Sequence, residues 1–189
     1  LMGEAPRRSV ALVGHGMGGM LAQEVAVRRP DLVHQLVLVA TAPAVQPGDS
    51  YDHVIGEGLR WLDEGRDMVA MADALVPQLV GPAALPEGVQ LARFCQSQVH
   101  AATWRRALEA MRGFDRRAAL GQIAAPTLLV AGEQDRVAPP DTLAAMAQAI
   151  PAAQLLTLPG AGHLPHLEQP DAFDAALMHF LHTARMRPH

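Results

Sequence analysis

An apolar run that turns through closely spaced glycines constrains the fold of this chain more than any other segment. Residues 10–13 read Val-Ala-Leu-Val, and they are followed by Gly14, His15, Gly16, Met17, Gly18 and Gly19. Glycine adopts positive φ at little steric cost and lets two stretches of backbone approach closely. We therefore predict a sharp strand-to-helix turn with Gly16 at its tip.

Four short apolar runs predict the strands of a parallel sheet, at residues 10–13, 36–40, 127–131 and 155–158. They lack the alternation of half-exposed strands and so predict strands buried on both faces. Helical patterns cover about 18–29, a segment that opens near Asp141, and a segment after Pro170. The last has one apolar stripe, made of Phe173, Leu177, Phe180, Leu181 and Ala184. The alternation predicts an α/β, doubly wound architecture with helices on both faces of the sheet.

Residues 45–119 interrupt this alternation. They contain no convincing strand but have helical patterns near 55–62, 68–79, 89–99 and 104–111. We predict a helical cap over the carboxyl ends of the strands, inserted into a core made of residues 1–44 and 120–189. Several large side chains of the cap either line an apolar pocket or form the cap's own core: Trp61, Met68, Met71, Phe94, Trp104 and Met111.

Composition narrows the class of protein. With 189 residues, of which 50% are hydrophobic, the chain can bury a substantial core. The formal charge of -4 argues against a nucleic-acid partner. A single cysteine, Cys95, and the lack of a signal peptide or a long apolar segment predict a soluble, cytoplasmic protein without a membrane partner. We predict no cofactor and no metal, because the histidines lack a recurring ligand spacing and the glycine turn lacks an acidic ribose partner.

Three motifs occur in an order that resembles one known family. They are Gly-His-Gly-Met-Gly-Gly at 14–19, Ala-Pro-Thr-Leu-Leu-Val-Ala-Gly-Glu-Gln-Asp at 125–135, and Gly-His-Leu-Pro-His-Leu-Glu-Gln-Pro at 162–170. From residue 10 onward the chain resembles the carboxyl-terminal two thirds of an α/β-hydrolase. Within that superfamily it is similar to 3-oxoadipate enol-lactonases and related small esterases. The resemblance implies a partial α/β-hydrolase fold and a small-molecule ester or lactone substrate or ligand.

The resemblance also implies roles for individual residues. Hydrolases of this family use a Ser-Asp-His triad, with the nucleophile at the tip of a glycine-rich elbow. In this sequence Asp135 matches the acid, His163 matches the base and Gly16 stands at the nucleophile position. The backbone amide of Met17 matches an oxyanion donor. The other elbow positions are Gly14, His15, Gly18 and Gly19. His15 is predicted to pack beneath the turn, and the nearby His166 is predicted to be structural.

Glycine at position 16 is the main departure from the family pattern. It has no hydroxyl, so no acyl-enzyme can form there. The remaining serines, at 9, 50 and 97, and Cys95 lie in no motif. Three interpretations remain open. The chain is an inactive form of an ester or lactone hydrolase, a noncatalytic binder of a ligand or partner, or a hydrolase in which His163 and Asp135 activate water.

The start of the chain is a second departure. Family members have several strands before the elbow, and a loop among them supplies a second oxyanion donor. Without such strands, residues 10–13 would form an unpaired apolar edge. The sequence therefore leads us to expect a fragment, a separate complementary amino-terminal chain, or an unusual homo-oligomer that covers the edge.

Overall fold

A parallel sheet of four strands forms the centre of the fold. The structure is a computed structural model that describes residues 9–183. The strands are β1 (Val10–His15), β2 (Val33–Val39), β3 (Thr127–Gly132) and β4 (Ala153–Leu158), and they lie side by side in chain order. All three pairings are parallel. The four predicted strands are present, although β2 begins three residues before its apolar run and β4 begins two residues before.

Burial differs between the central and the outer strands. Every residue of β3 is buried, as are all residues of β2 except His34. In β1, however, Val10 is 51% exposed and Val13 is 47% exposed, and β4 is also largely open. The prediction of burial on both faces is therefore wrong for β1 and β4. Within the described residues these strands form the two edges, where a continuous apolar run does not ensure burial.

Helices cover both faces of the sheet, as predicted. α1 (Met17–Arg28) and α6 (Pro140–Ala149) contribute Met20, Leu143 and Met146 to a core cluster that includes Leu36 and Leu129. The short α7 (Pro165–Glu168) and then α8 (Pro170–Thr183) follow β4. On the opposite face, α8 packs through two phenylalanines of its predicted stripe, Phe173 and Phe180. Ala184 lies outside the described residues.

Four helices lie between β2 and β3, in the segment predicted to be a cap. They are α2 (Ser50–Asp63), α3 (Met68–Leu79), α4 (Pro86–Ser97) and α5 (Ala101–Met111), and we call residues 45–119 the helical insertion. α2 begins before the predicted residue 55 because the Asp49 side chain accepts a 2.8 Å bond from the Asp52 amide and caps it. Asp67 caps α3 in the same way.

Most of the large apolar side chains singled out in the helical insertion pack against one another, whereas Met111 packs against the core cluster that contains Leu36 and Leu129. Trp61, Met71 and Leu75 are buried together, and Met68 and Trp104 pack against them. Phe94 is 62% exposed on α4 instead. For the side chains in this cluster, the contacts favour a role in the core of the helical insertion over the lining of an apolar pocket. Among the helices described, none is both long and apolar enough to span a membrane.

Candidate active site

The turn between β1 and α1 has the geometry expected of an elbow. Gly16 lies at its tip with φ 53° and ψ -120°. Its amide donates to the Val39 carbonyl oxygen at 3.0 Å, which ties the tip to the neighbouring strand. Its own carbonyl oxygen accepts bonds from the Thr41 hydroxyl at 2.7 Å and from the Gly19 amide at 3.0 Å. Hydrogen bonds to both the amide and the carbonyl oxygen of residue 16 therefore hold the turn.

The other elbow glycines do not all have the same reason to be glycine. A Cβ on Gly14 would lie 2.4 Å from the Gly18 carbonyl oxygen, so strand and helix approach too closely for a side chain. A Cβ on Gly19 would lie 2.6 Å from the Thr41 side chain. Outside its own helix backbone and its chain neighbours, nothing in residues 9–183 lies within 4 Å of such an atom on Gly18. Close packing therefore explains Gly14 and Gly19, while Gly18 has room for a methyl group.

Asp135 and His163 meet above the carboxyl ends of the strands. Asp135 lies in the loop after β3, and His163 lies in the loop after β4. His163 Nδ1 is 2.9 Å from Asp135 Oδ2, and both side chains are buried. The second carboxylate oxygen, Oδ1, accepts bonds from the amides of Val137 at 2.8 Å and Ala138 at 3.0 Å. The carboxylate is thus held in place while it orients the imidazole ring.

The free nitrogen of His163 faces the tip of the elbow. A Cβ built on Gly16 would lie 3.6 Å from His163 Nε2. The structure therefore brings together three sequence-predicted positions, 16, 135 and 163, that lie far apart along the chain. Met17 is the first residue of α1, where amides lack a partner within the helix. Its N–H is thus placed next to the Gly16 position.

His15 makes a contact that the sequence did not predict. Its Nε2 lies 2.7 Å from the His163 carbonyl oxygen, and since that oxygen only accepts, Nε2 carries the proton. Burial, followed by the nearby His163, lowers the pKa of His15 to about 3. The ring is therefore neutral at pH 7 and links the elbow to the histidine loop. The His166 ring lies 5.0 Å from that of His15, and burial lowers its pKa too.

Tyr51 was missed altogether by the sequence analysis. It lies in the first turn of α2, and its hydroxyl donates to the Ala40 carbonyl oxygen at 2.9 Å. The same hydroxyl would be 3.9 Å from a Cβ on Gly16. Burial raises the pKa of the Tyr51 phenol, which keeps it protonated and able to donate. It is the only tyrosine in the sequence, but no local pattern connects it with the elbow.

Other candidate groups lie outside this arrangement. Cys95 is free and exposed on α4. Ser50 begins α2 and Ser97 ends α4, so both belong to the helical insertion. Across residues 9–183, no group of three or more His, Cys, Asp or Glu side chains could hold a metal ion.

Comparisons with known proteins place the chain in a family. The model of the alpha/beta hydrolase family matches residues 2–176. A pimeloyl-[acyl-carrier protein] methyl ester esterase from Stenotrophomonas maltophilia is 31% identical over 176 residues, covering 89% of this chain and 67% of the esterase.

Solved structures agree with this placement. The enol-lactonase from Burkholderia xenovorans LB400 matches with a TM-score of 0.81 and 27% identity, covering 92% of this chain and 65% of the enol-lactonase. A hydrolase from Pseudomonas aeruginosa PA01 matches with a TM-score of 0.79 and 30% identity, again over 92% and 65% of the two chains. The chain thus spans about two thirds of the length of these relatives. With its family match, its parallel sheet and its elbow, the chain belongs to the alpha/beta hydrolase family.

Proposed function

We propose that this chain carries the acid–base part of a carboxylic-ester or lactone hydrolase site from which the nucleophile is missing. One observation carries the proposal. His163 Nε2 lies 3.6 Å from the Cβ position of residue 16, while Nδ1 of the same ring is bonded to Asp135. A ring held at one nitrogen by a carboxylate and directed by the other at an elbow residue is the arrangement of a general base with its orienting acid.

The chemistry of a complete site follows from this arrangement. A serine at position 16 would pass its proton to His163 Nε2 as its oxygen attacks the ester carbonyl. Asp135 would stabilise the imidazolium, and the Met17 amide would donate to the oxygen that becomes negative. His163 would then return the proton to the leaving alcohol. Gly16 has no side-chain hydroxyl to begin these steps, so the chain forms no acyl-enzyme and is inactive by this route.

The proposed substrate class rests on the relatives and on the site. Those relatives include proteins named as a methyl ester esterase and as an enol-lactonase. Esters and lactones share the same functional group, in which a carbonyl carbon is joined to a second oxygen by a single bond. Attack on such a bond creates an oxyanion, which amides at the amino terminus of α1 can stabilise beside the buried base. We therefore propose a small-molecule ester or lactone as the ligand that the complete site recognises.

The open space at Gly16 favours a second candidate function, hydrolysis by water. Among residues 9–183 and apart from the chain neighbours, only His163 Nε2 and the Tyr51 hydroxyl come within 4 Å of a Cβ built there. A water molecule in that space would give its proton to His163 Nε2 as its oxygen attacks the ester carbonyl, and His163 would return the proton to the leaving alcohol when the acyl–oxygen bond breaks. This route predicts slow hydrolysis by the unaltered chain that disappears in His163→Ala. A noncatalytic binder would instead hold its ligand equally well in both proteins.

The deciding experiment restores the missing oxygen. We expect Gly16→Ser to react covalently with a fluorophosphonate probe of serine hydrolases. Gly16→Ala is the matched control, since it adds the same Cβ without the hydroxyl and leaves every other serine in place. The double variant Gly16→Ser with His163→Ala removes the base. Labelling of the first variant alone supports the proposal, whereas a folded Gly16→Ser protein that resists the probe contradicts it.

A further inference from the structure

A buried carboxylate outside the Asp135–His163 pair holds the loop that carries His163. Glu168, the last residue of α7, is only 2% exposed. Its Oε1 accepts bonds from the amides of Gly162 and Leu164, both at 3.0 Å. Its Oε2 accepts from Gly162 at 2.8 Å and from Gly81 at 2.6 Å. One side chain therefore binds the amides on both sides of His163 and an amide of the helical insertion.

The helical insertion lies directly against the histidine loop at this point. The His163 amide donates to the Leu79 carbonyl oxygen, at the end of α3, at 2.6 Å. A Cβ on Gly162 would lie 2.5 Å from the same oxygen and 2.7 Å from the Gly81 nitrogen. The histidine loop and the end of α3 therefore have no room to move closer together, and the position of the loop depends on the position of the helix end.

The charge of Glu168 is matched by backbone dipoles. Within residues 9–183, no arginine or histidine lies within salt-bridge distance of its carboxylate, so three backbone amides take the place of a cation. Hydrogen bonds to a charged acceptor are stronger than those between neutral groups. A neutral glutamine would lose this advantage, and its NH₂ group would meet amides that also donate. The site therefore requires the negative charge as well as the shape of the side chain.

We propose that Glu168 is a positioning residue for His163. It fixes the backbone on either side of the imidazole, so that Nδ1 stays bonded to Asp135 while Nε2 faces residue 16. Through Gly81 it couples that geometry to the end of α3. This role deepens the proposed function, on which it rests, but the position of the ring can be measured without any activity.

The test measures the proton between His163 Nδ1 and Asp135 by NMR. In Glu168→Gln we expect this proton to exchange with water at least about tenfold faster than in the unaltered chain. The reason is that the hydrogen bonds from the Gly81, Gly162 and Leu164 amides to a charged carboxylate are weakened or lost. The backbone amide of Leu129, in the centre of the sheet, is the reference for global opening. The exchange rate of the Leu129 amide should change by less than about twofold if the effect of the substitution is local.

Glu133→Gln is the matched control. Glu133 Oε2 accepts a 2.8 Å bond from the Gly160 amide, in the same loop, but at an exposed position away from His163. We expect this variant to leave the His163 proton unchanged. An unchanged proton in Glu168→Gln, or equal acceleration at Leu129, would overturn the positioning role. If Glu168→Gln does not fold, Glu168→Asp keeps the charge on a shorter side chain and should show the same local acceleration, to a smaller extent. Exchange as in the unaltered chain would then count against the role.

A second measurement uses the restored nucleophile. In the Gly16→Ser protein, Glu168→Gln should slow fluorophosphonate labelling by about tenfold at saturating probe, and Glu133→Gln should not. Unchanged labelling by a folded Glu168→Gln protein would contradict the role. If Gly16→Ser fails to label at all, the proposed function fails, while the NMR experiment still decides the role of Glu168.

Discussion

A Cβ added at Gly16 should destabilise the protein through the backbone alone. The tip residue has φ 53° and ψ -120°, a combination that L-residues other than glycine rarely adopt. Space does not oppose the new atom, because its nearest neighbour would be His163 Nε2 at 3.6 Å, an ordinary van der Waals contact. The cost of the substitution is therefore almost entirely conformational strain.

The magnitude follows from that strain. Residues held in sparsely populated φ/ψ regions cost about 1–3 kcal/mol each. For a chain of this size, each kcal/mol lowers the melting temperature by roughly 2–4 °C, so Gly16→Ala should lower it by about 2–12 °C. Gly18→Ala is the matched control two residues later. Gly18 lies in α1, and beyond its own helix no described residue lies within 4 Å of the added atom, so alanine there should stabilise by up to about 1 kcal/mol.

The assay is thermal and urea unfolding of both variants beside the unaltered chain, followed by circular dichroism. We expect changes of opposite sign at the two positions. Equal effects, or a Gly16→Ala protein as stable as the unaltered chain, would refute the conclusion that the elbow is strained at residue 16. Gly16→Ser should lose as much stability as Gly16→Ala, since both add the same Cβ.

Three further predictions concern stability. Because burial lowers the pKa of His15 to about 3 from its ordinary 6.5, the unfolded chain binds a proton that the folded chain does not, and stability falls as the pH falls. Between pH 7 and pH 4 the His15 contribution to this loss should be on the order of 2–3 kcal/mol, so His15→Gln should reduce the pH slope in urea unfolding by that amount, while the smaller contribution of His166 stays. The same slope in both proteins would contradict this. Asp135→Ala leaves the buried amides of Val137 and Ala138 without an acceptor, so the free energy of unfolding in urea should fall by about 2–4 kcal/mol. Asp135→Asn keeps one acceptor oxygen and should lower it by less. Equal losses in the two variants would show that the acceptor oxygen does not matter. Leu129→Ala at a fully buried position should cost about 2–5 kcal/mol, and a loss below 1 kcal/mol would mean that the core relaxes around it.

Much of the fold could be predicted from local sequence. Apolar runs located all four strands of the described sheet, and the glycine turn located the elbow, because both signals depend on neighbouring residues. The burial of β1 and β4 could not be obtained in this way. Val10 and Leu155 resemble residues of the central strands in sequence, yet their exposure depends on what lies beside each strand. Helix starts depended on capping side chains such as Asp49, which an apolar pattern does not include.

The candidate site was predictable only where a motif marked it. Positions 16, 135 and 163 were found through their motifs, and the structure places them together. The contacts of Tyr51 and Glu168 were not found, because their partners, Ala40 and Gly81, are brought to them by the fold. A carboxylate bound to backbone amides leaves no pattern in the partner residues, since every residue except proline has an amide.

The elbow is held through the backbone atoms of residue 16, so its conformation does not depend on a functional group of the side chain there. The Gly16 amide donates to Val39 and its carbonyl oxygen accepts from Thr41, and any amino acid except proline would supply both backbone groups. Evolution can therefore exchange the side chain at this position without rebuilding the strands, the helix or the Asp135–His163 pair. With glycine at the tip, the Asp135–His163 pair is still in place, and one substitution would put a hydroxyl beside His163 Nε2.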